Sequence, residues 1–294
     1  MITLVISCSF LYQKLYSNST EELYKLHFSP FAFDIYSGAY YGVFLNSFLH
    51  NNIINLLING LFLFHSGRII ERKFKFTTYF LLGLFASSST SIIQLAASGD
   101  PGIGLFGVNF FLISIIVFSD YKIKEISIKI KRNYILLLLF TITVCTFGNI
   151  YFKWNIGLAS MVSGFLLGAL LGLLAAFRGR KRSIFFGFFL TCFLSVSLFY
   201  SPWSEQWNLY KAITYHEKNE IHLATSFYKK VLQINPTEPI SIENLNLIKI
   251  DKLSNHAYKL HNKGQFIQAR FYYDQILAID PHNKWAKDQI QKLP

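Results

Sequence analysis

Acidic side chains are scarce in this sequence: 16 Asp and Glu stand against 28 Lys and Arg, and charged residues of both signs make up only 15% of 294 residues. A soluble domain carries about 25%. Together with 52% hydrophobic residues and a mean hydropathy of +0.34, the shortage excludes a disordered chain and argues for a polytopic membrane protein. Cysteine is nearly absent too. Cys8, Cys145 and Cys192 fall inside apolar stretches, at spacings that fit neither a metal motif nor a disulfide framework. They read as buried thiols. Proline and glycine are too few for a collagen-like chain. No cluster of ligands points to a metal, and nothing suggests a cofactor. Residues 1–16 lack the basic start and the small-residue cleavage site of a signal peptide, so they read as a first, weak membrane span.

What is present is a series of apolar runs. A bilayer-crossing helix needs about 20 largely apolar residues. Further candidates lie near 45–66, 77–97, 104–119, 133–149, 156–177 and 183–200, for seven spans in all. The net charge of +12 does not point to nucleic acid, because residues 1–200 hold +9 of it between the apolar segments. Arg68, Arg72, Lys73 and Lys75 follow the second span. Lys122, Lys124, Lys129, Lys131 and Arg132 follow the fourth, and Arg178, Arg180, Lys181 and Arg182 the sixth. The alternate loops carry only Asp100 and Lys153. Basic loops stay cytoplasmic, which predicts a cytoplasmic amino terminus and an extracytoplasmic tail. Tyr40, Tyr41, Tyr151, Trp154, Tyr200 and Trp203 near span ends read as interface anchors.

From about Ser201 the pattern becomes soluble and helical. Ala257, Leu260, Gly264, Ala269, Tyr273 and Pro281 fall at positions 8, 11, 15, 20, 24 and 32 of a 34-residue helix-turn-helix repeat. Ala212, Tyr215, Ala224, Tyr228 and Pro236 repeat the same positions. Small residues at 8 and 20 let paired helices approach, and the aromatic at 24 fills the groove between them. This tail resembles a tetratricopeptide-repeat domain, a protein-interaction module. The two prolines are 45 residues apart rather than 34, so residues 237–248 are an insertion or a degenerate helix.

The membrane half carries an ordered set of features: Gly38-Ala39-Tyr40-Tyr41, Phe48-Leu49-His50, Asn55, Asn59, Gly67, Glu71, Gly104-Leu105-Phe106-Gly107, and Gly164 through Gly168. Asn55 and Asn59 are four apart and share a helix face. Facing lipid they would be costly, so they should face the bundle and hydrogen-bond across it. Gly164, Gly168 and Gly172 make a flat stripe for close helix packing, with Gly104 and Gly107 as a partner face. His50 reads as structural.

In order and spacing, residues 1–177 resemble the rhomboid family of intramembrane serine proteases. The resemblance implies an all-α membrane bundle: a six-helix core over 1–177, a basic loop and seventh helix over 178–200, and the repeat tail over 201–294. In the family a serine of a G-x-S-G motif is the nucleophile, and a histidine three residues before the first glycine of the sixth helix is its base. Here those positions read Phe106 and Met161. The oxyanion histidine position reads Asn55, Asn59 is retained, and the first-loop Trp-Arg pair reads Tyr41-Gly42. Phe and Met offer neither nucleophile nor proton acceptor, and a serine hydroxyl is weak without an adjacent base. No catalytic residue is therefore expected. The resemblance implies a pseudoprotease that binds membrane clients, since inactive relatives bind, retain or route them. The expected partners are the lipid bilayer and a transmembrane or extracytoplasmic protein. An active protease with a non-standard site and a simple tethered scaffold are the alternatives. A transporter is set aside because the stronger spans lack interior Asp and Glu.

Overall fold

A computed structural model describes residues 30–50, 53–73, 75–119, 128–152, 154, 156–178 and 180–294. The predicted first span, Cys8, Lys122, Lys124 and Lys153 lie outside these residues. Regular structure among the described residues is helical. They form two compact units, one reaching Trp207 and one running from Asn208 to Pro294.

The first unit contains α1 (Ala32–Tyr36), α2 (Gly42–Leu45) and a 3-10 turn (Asn46–Phe48), then α3 (Ile53–Lys73), α4 (Phe76–Ser98), α5 (Phe106–Phe118), α6 (Ile128–Phe152), α7 (Leu158–Arg178), α8 (Arg180–Ser195) and a second 3-10 turn (Val196–Leu198). The span expected at 45–66 is displaced. After the 3-10 turn Leu49 turns extended, at φ −88° and ψ 152°, and α3 is described from Ile53 to Lys73. The basic run expected as a loop is instead helical on both sides of residue 179, consistent with the good helix propensity of Arg and Lys.

Among the described residues, three helices are long and apolar enough to cross a membrane: Phe76–Ser98, Lys131–Tyr151 and Leu158–Ala175. Segments Phe106–Phe118 and Phe185–Leu198 are apolar but shorter. Helix α4 ends where Gly99 turns left-handed at φ 71° and donates its N–H to the Leu95 carbonyl. Gly102 and Gly104 keep the following loop at positive φ, which delays α5 to Phe106. The resulting 13-residue helix is about 20 Å long, short of a hydrocarbon core of about 30 Å. It lies inside protein instead: every residue from Phe106 to Val117 is buried, among α3, α4, α6 and α7. Helix α6 is the outlying member. Only 22% of its apolar window is buried, against 44% for α4 and α7. Helix α8 packs on α4 and α7 and turns Phe185, Phe188, Phe189 and Phe193 outward, each more than 65% exposed.

The second unit holds most of α9 (Glu205–Glu217), then α10 (Ile221–Ile234), α11 (Pro239–Asn262), α12 (Phe266–Ile279) and α13 (Lys284–Gln291). Its architecture repeats at the 45-residue interval. Ala212, Ala224 and Tyr228 are fully buried in one cluster, and Ala257, Ala269 and Tyr273 are fully buried in another. His216 Nδ1 lies 3.3 Å from the Tyr228 hydroxyl, and His261 Nδ1 lies 3.0 Å from that of Tyr273. The turns match as well: Asn219 (φ 60°) and Gly264 (φ 74°) are both left-handed. Residues 239–248 are regular helix, the first turns of α11. Glu238 caps it by accepting from the N–H groups of Ile240 (3.2 Å) and Ser241 (2.6 Å), with Pro239 in the first turn.

Candidate functional site

Helices α3 and α5 meet around a buried, uncharged polar centre. Asn59 Nδ2 donates to the Asn55 carbonyl at 3.0 Å and to the Asn55 side-chain oxygen. Asn109, on α5, donates from Nδ2 to the Asn59 carbonyl (3.1 Å) and to Asn59 Oδ1 (3.0 Å). Gly104 sits against this pair: a Cβ there would lie 3.4–3.5 Å from the two asparagine side chains. The predicted face-sharing of Asn55 and Asn59 is thus realised, with Asn109 as the partner across the bundle. Asn109 carried no expectation. Its signal was a lone amide in an apolar helix, which in lipid needs a partner.

Beside the amides, α5 and α7 touch through backbone. A Cβ on Gly164 would collide with the Gly107 carbonyl, one on Gly168 with that of Phe111, and one on Gly172 would come within 3.2 Å of Phe118. Gly107 in turn leaves room for Thr90 of α4, whose hydroxyl donates to the Ala86 carbonyl at 2.7 Å. The glycine stripe therefore faces Gly107, while Gly104 serves the asparagines. Gly67 makes room elsewhere, with the Tyr79 hydroxyl 2.8 Å from where its Cβ would be. Glu71 lies on an exposed part of α3.

Phe106 is 4% exposed and Met161 is fully buried, and both belong to the unit's apolar core. The serines nearest Met161 in sequence are engaged with main chain: Ser160 Oγ donates to the Gly157 carbonyl at 2.6 Å, and Ser163 Oγ to that of Ser160 at 3.1 Å. Gln94 of α4 reaches the start of α7, its Oε1 accepting from the Ser160 N–H at 2.8 Å. Ser87 donates to the Phe44 carbonyl and to Ser47, and Ser47 pairs with Ser91. The two described histidines of this unit lie elsewhere. His50 Nδ1 is 3.2 Å from the Phe48 carbonyl, and His65 Nε2 is 2.6 Å from the hydroxyl of Tyr134 on α6. No Asp, Glu, Lys or Arg among the described residues of this unit is buried. No group of three or more His, Cys, Asp or Glu among the described residues could hold a metal.

Residues 37–178 match the Rhomboid domain family model. The match covers a little under half of the chain and extends from the loop before α2 to the end of α7. It supports the rhomboid family for this half, and together with the apolar helices it supports an integral membrane protein. No curated protein matches the chain. Within this rhomboid-like unit a second feature adjoins the bundle. A largely apolar groove of about 460 Å³ opens between α4 and α8, lined by Leu82, Phe85, Ser88, Phe188 and Thr191 and floored by Leu171 of α7. Ser89 and Thr191 stand 3.3 Å apart beside it.

Proposed function

We propose that this protein is a rhomboid-like pseudoprotease that binds the transmembrane helix of a client protein, with the tetratricopeptide-like tail as a second, protein-binding module. One observation carries the reading. The family resemblance puts the nucleophile and base positions at Phe106 and Met161, and both side chains are packed into the apolar core. Neither side chain offers a nucleophile or a base, and burial in an apolar core is the environment of a packing residue. The amide cluster of Asn55, Asn59 and Asn109 then serves as interhelical glue.

The bundle is suited to lateral binding. Helix α6 is the least buried of the three long spans, and the Tyr134–His65 contact ties it to α3 near one end. A client helix could lie along α6 at the cost of few protein contacts. In the tail, the 45-residue recurrence of Ala212, Tyr228 and Pro236 as Ala257, Tyr273 and Pro281 supports paired repeats. Two weak grips on one client act through effective concentration, so their joint affinity exceeds either alone. The alternation of basic stretches supports a cytoplasmic amino terminus and an extracytoplasmic tail, and we read the membrane as a bacterial plasma membrane.

Co-expression with a permissive rhomboid substrate tests the reading, beside an active rhomboid and its Ser→Ala variant. Cleavage at the Ser→Ala background is the expected result, with the substrate helix recovered by photocrosslinking from positions on α6. Cleavage above background that is lost on mutating one serine of this chain would overturn the proposal.

A further inference from the structure

Helix α11 carries a basic stripe with no role in the core. Lys249, Lys252, His256, Lys259 and Lys263 are all exposed. At 100° per residue they fall within an arc of about 80°, and at 1.5 Å per residue they extend over about 21 Å. The two acids within the helix, Glu243 and Asp251, project outside that arc. None of the four lysines has an ion-pair partner among the described residues. His256 meets the ring of Tyr272 at 5.5 Å between centroids, which anchors the middle of the stripe to α12.

The fold does not require these charges. One repeat earlier, at the 45-residue interval, the same positions are Ser204, Trp207, Lys211, Thr214 and Lys218. Only two of the five are basic, yet that helix buries the matching Ala212 in the same way. The stripe also does not line the groove found on this helix. The groove of about 450 Å³ in this unit is lined from another face of α11, by Ile242, Asn246 and Ile250 with Ile279 and Asp280. A straight, shallow row of like charges complements an extended anionic surface rather than a single acidic side chain.

We infer that this face of α11 docks on the anionic phospholipid headgroups of the bilayer that holds the first unit. The tether keeps that surface at high local concentration, so weak charge pairing suffices. Each basic residue near an anionic leaflet contributes about 1 kcal/mol, a five-fold change in partitioning, and the attraction decays within a Debye length. The contact is therefore reversible and sensitive to salt. Docking would hold the interaction module close to the membrane, where the membrane-proximal part of a client lies.

Lysine acetylation followed by mass spectrometry tests this on the full-length protein in nanodiscs. Zwitterionic discs are compared with discs containing phosphatidylglycerol, and Lys229 and Lys287 serve as internal references. Lys249, Lys252, Lys259 and Lys263 should react about five-fold more slowly in anionic discs only, and recover in high salt. In the charge-reversed variant K252E/K259E, protection of Lys249 and Lys263 should disappear while circular dichroism stays unchanged. Equal reactivity in both discs would overturn the inference. So would protection in both, or protection produced by soluble poly-glutamate and not by anionic lipid, which would assign the stripe to an acidic protein.

Discussion

Helices α5 and α7 meet at Gly107, Gly164 and Gly168, backbone against backbone, whereas α11 and α12 meet at Ala257, Ala269 and the buried ring of Tyr273. The two units differ because their solvents differ. Lipid tails are as apolar as leucine, so burying a leucine between membrane helices gains little; close van der Waals approach and interhelical hydrogen bonds must supply the association. Buried polar residues follow that rule: the first unit encloses Asn46, Asn55, Asn59, Gln94, Asn109 and a row of serines along α4, whereas the tail encloses few, Glu238 and Ser241 among them. In water the apolar ring itself drives packing.

If that contrast is right, a large-to-small change should hurt the tail most and a small-to-large change the bundle most. Tyr273→Ala removes a fully buried ring and should cost the tail about 3–5 kcal/mol, read as proteolytic release of the tail from an intact membrane unit. Gly168→Ala forces a methyl into the Phe111 carbonyl. Overpacking of this kind costs about 1–3 kcal/mol, and it should lower the detergent-denaturation midpoint of the bundle while leaving the tail's protease resistance unchanged. The reverse pattern in either variant would break the comparison.

How much of this was legible depends on how local the signal is. The glycine stripe and the Asn55–Asn59 pair are periodic within one helix, so spacing alone located their face. The partner Asn109 lies 50 residues further on, and nothing local says which of α5's crowded sides it occupies. The displacement of the second span did have a local cue: Asn46, Ser47, His50, Asn51 and Asn52 make residues 45–52 more polar than a span interior, and the preceding turn ends in extended backbone at Leu49. In the tail the interruption of the 34-residue period was plain. Its helical form had a local cue in Glu238 followed by Pro239, a capping acid and a first-turn proline. What no pattern conveyed is that Phe106 and Met161 share one apolar core.

The tail also has a pH signature. The Tyr228 phenol is pushed up to about 12, by burial first and then by Glu217 and Glu238. A buried neutral phenol contributes stability that is fully present below its ordinary value near 10, and that is lost as pH rises through the folded value. Alkaline titration should therefore loosen the tail between about pH 10 and 12, and Tyr228→Phe should flatten that slope. An unchanged slope in the variant would assign the transition to another group.

The smallest effect probes the polar centre. Asn109→Leu keeps the branching of the side chain and removes both bonds to Asn59, leaving Asn59 its contact with Asn55. Interhelical hydrogen bonds in membranes contribute about 0.6 kcal/mol on average and about 1.7 at most. A loss in that range, with client crosslinking intact, is what glue predicts. The amide oxygen of Asn109 has no partner and is buried, so the leucine also relieves a small desolvation penalty, which pushes the net cost toward the lower end. Loss of client crosslinking from a bundle of undiminished stability would give the asparagines a binding role, and the bundle would then differ from the tail in chemistry as well as in packing.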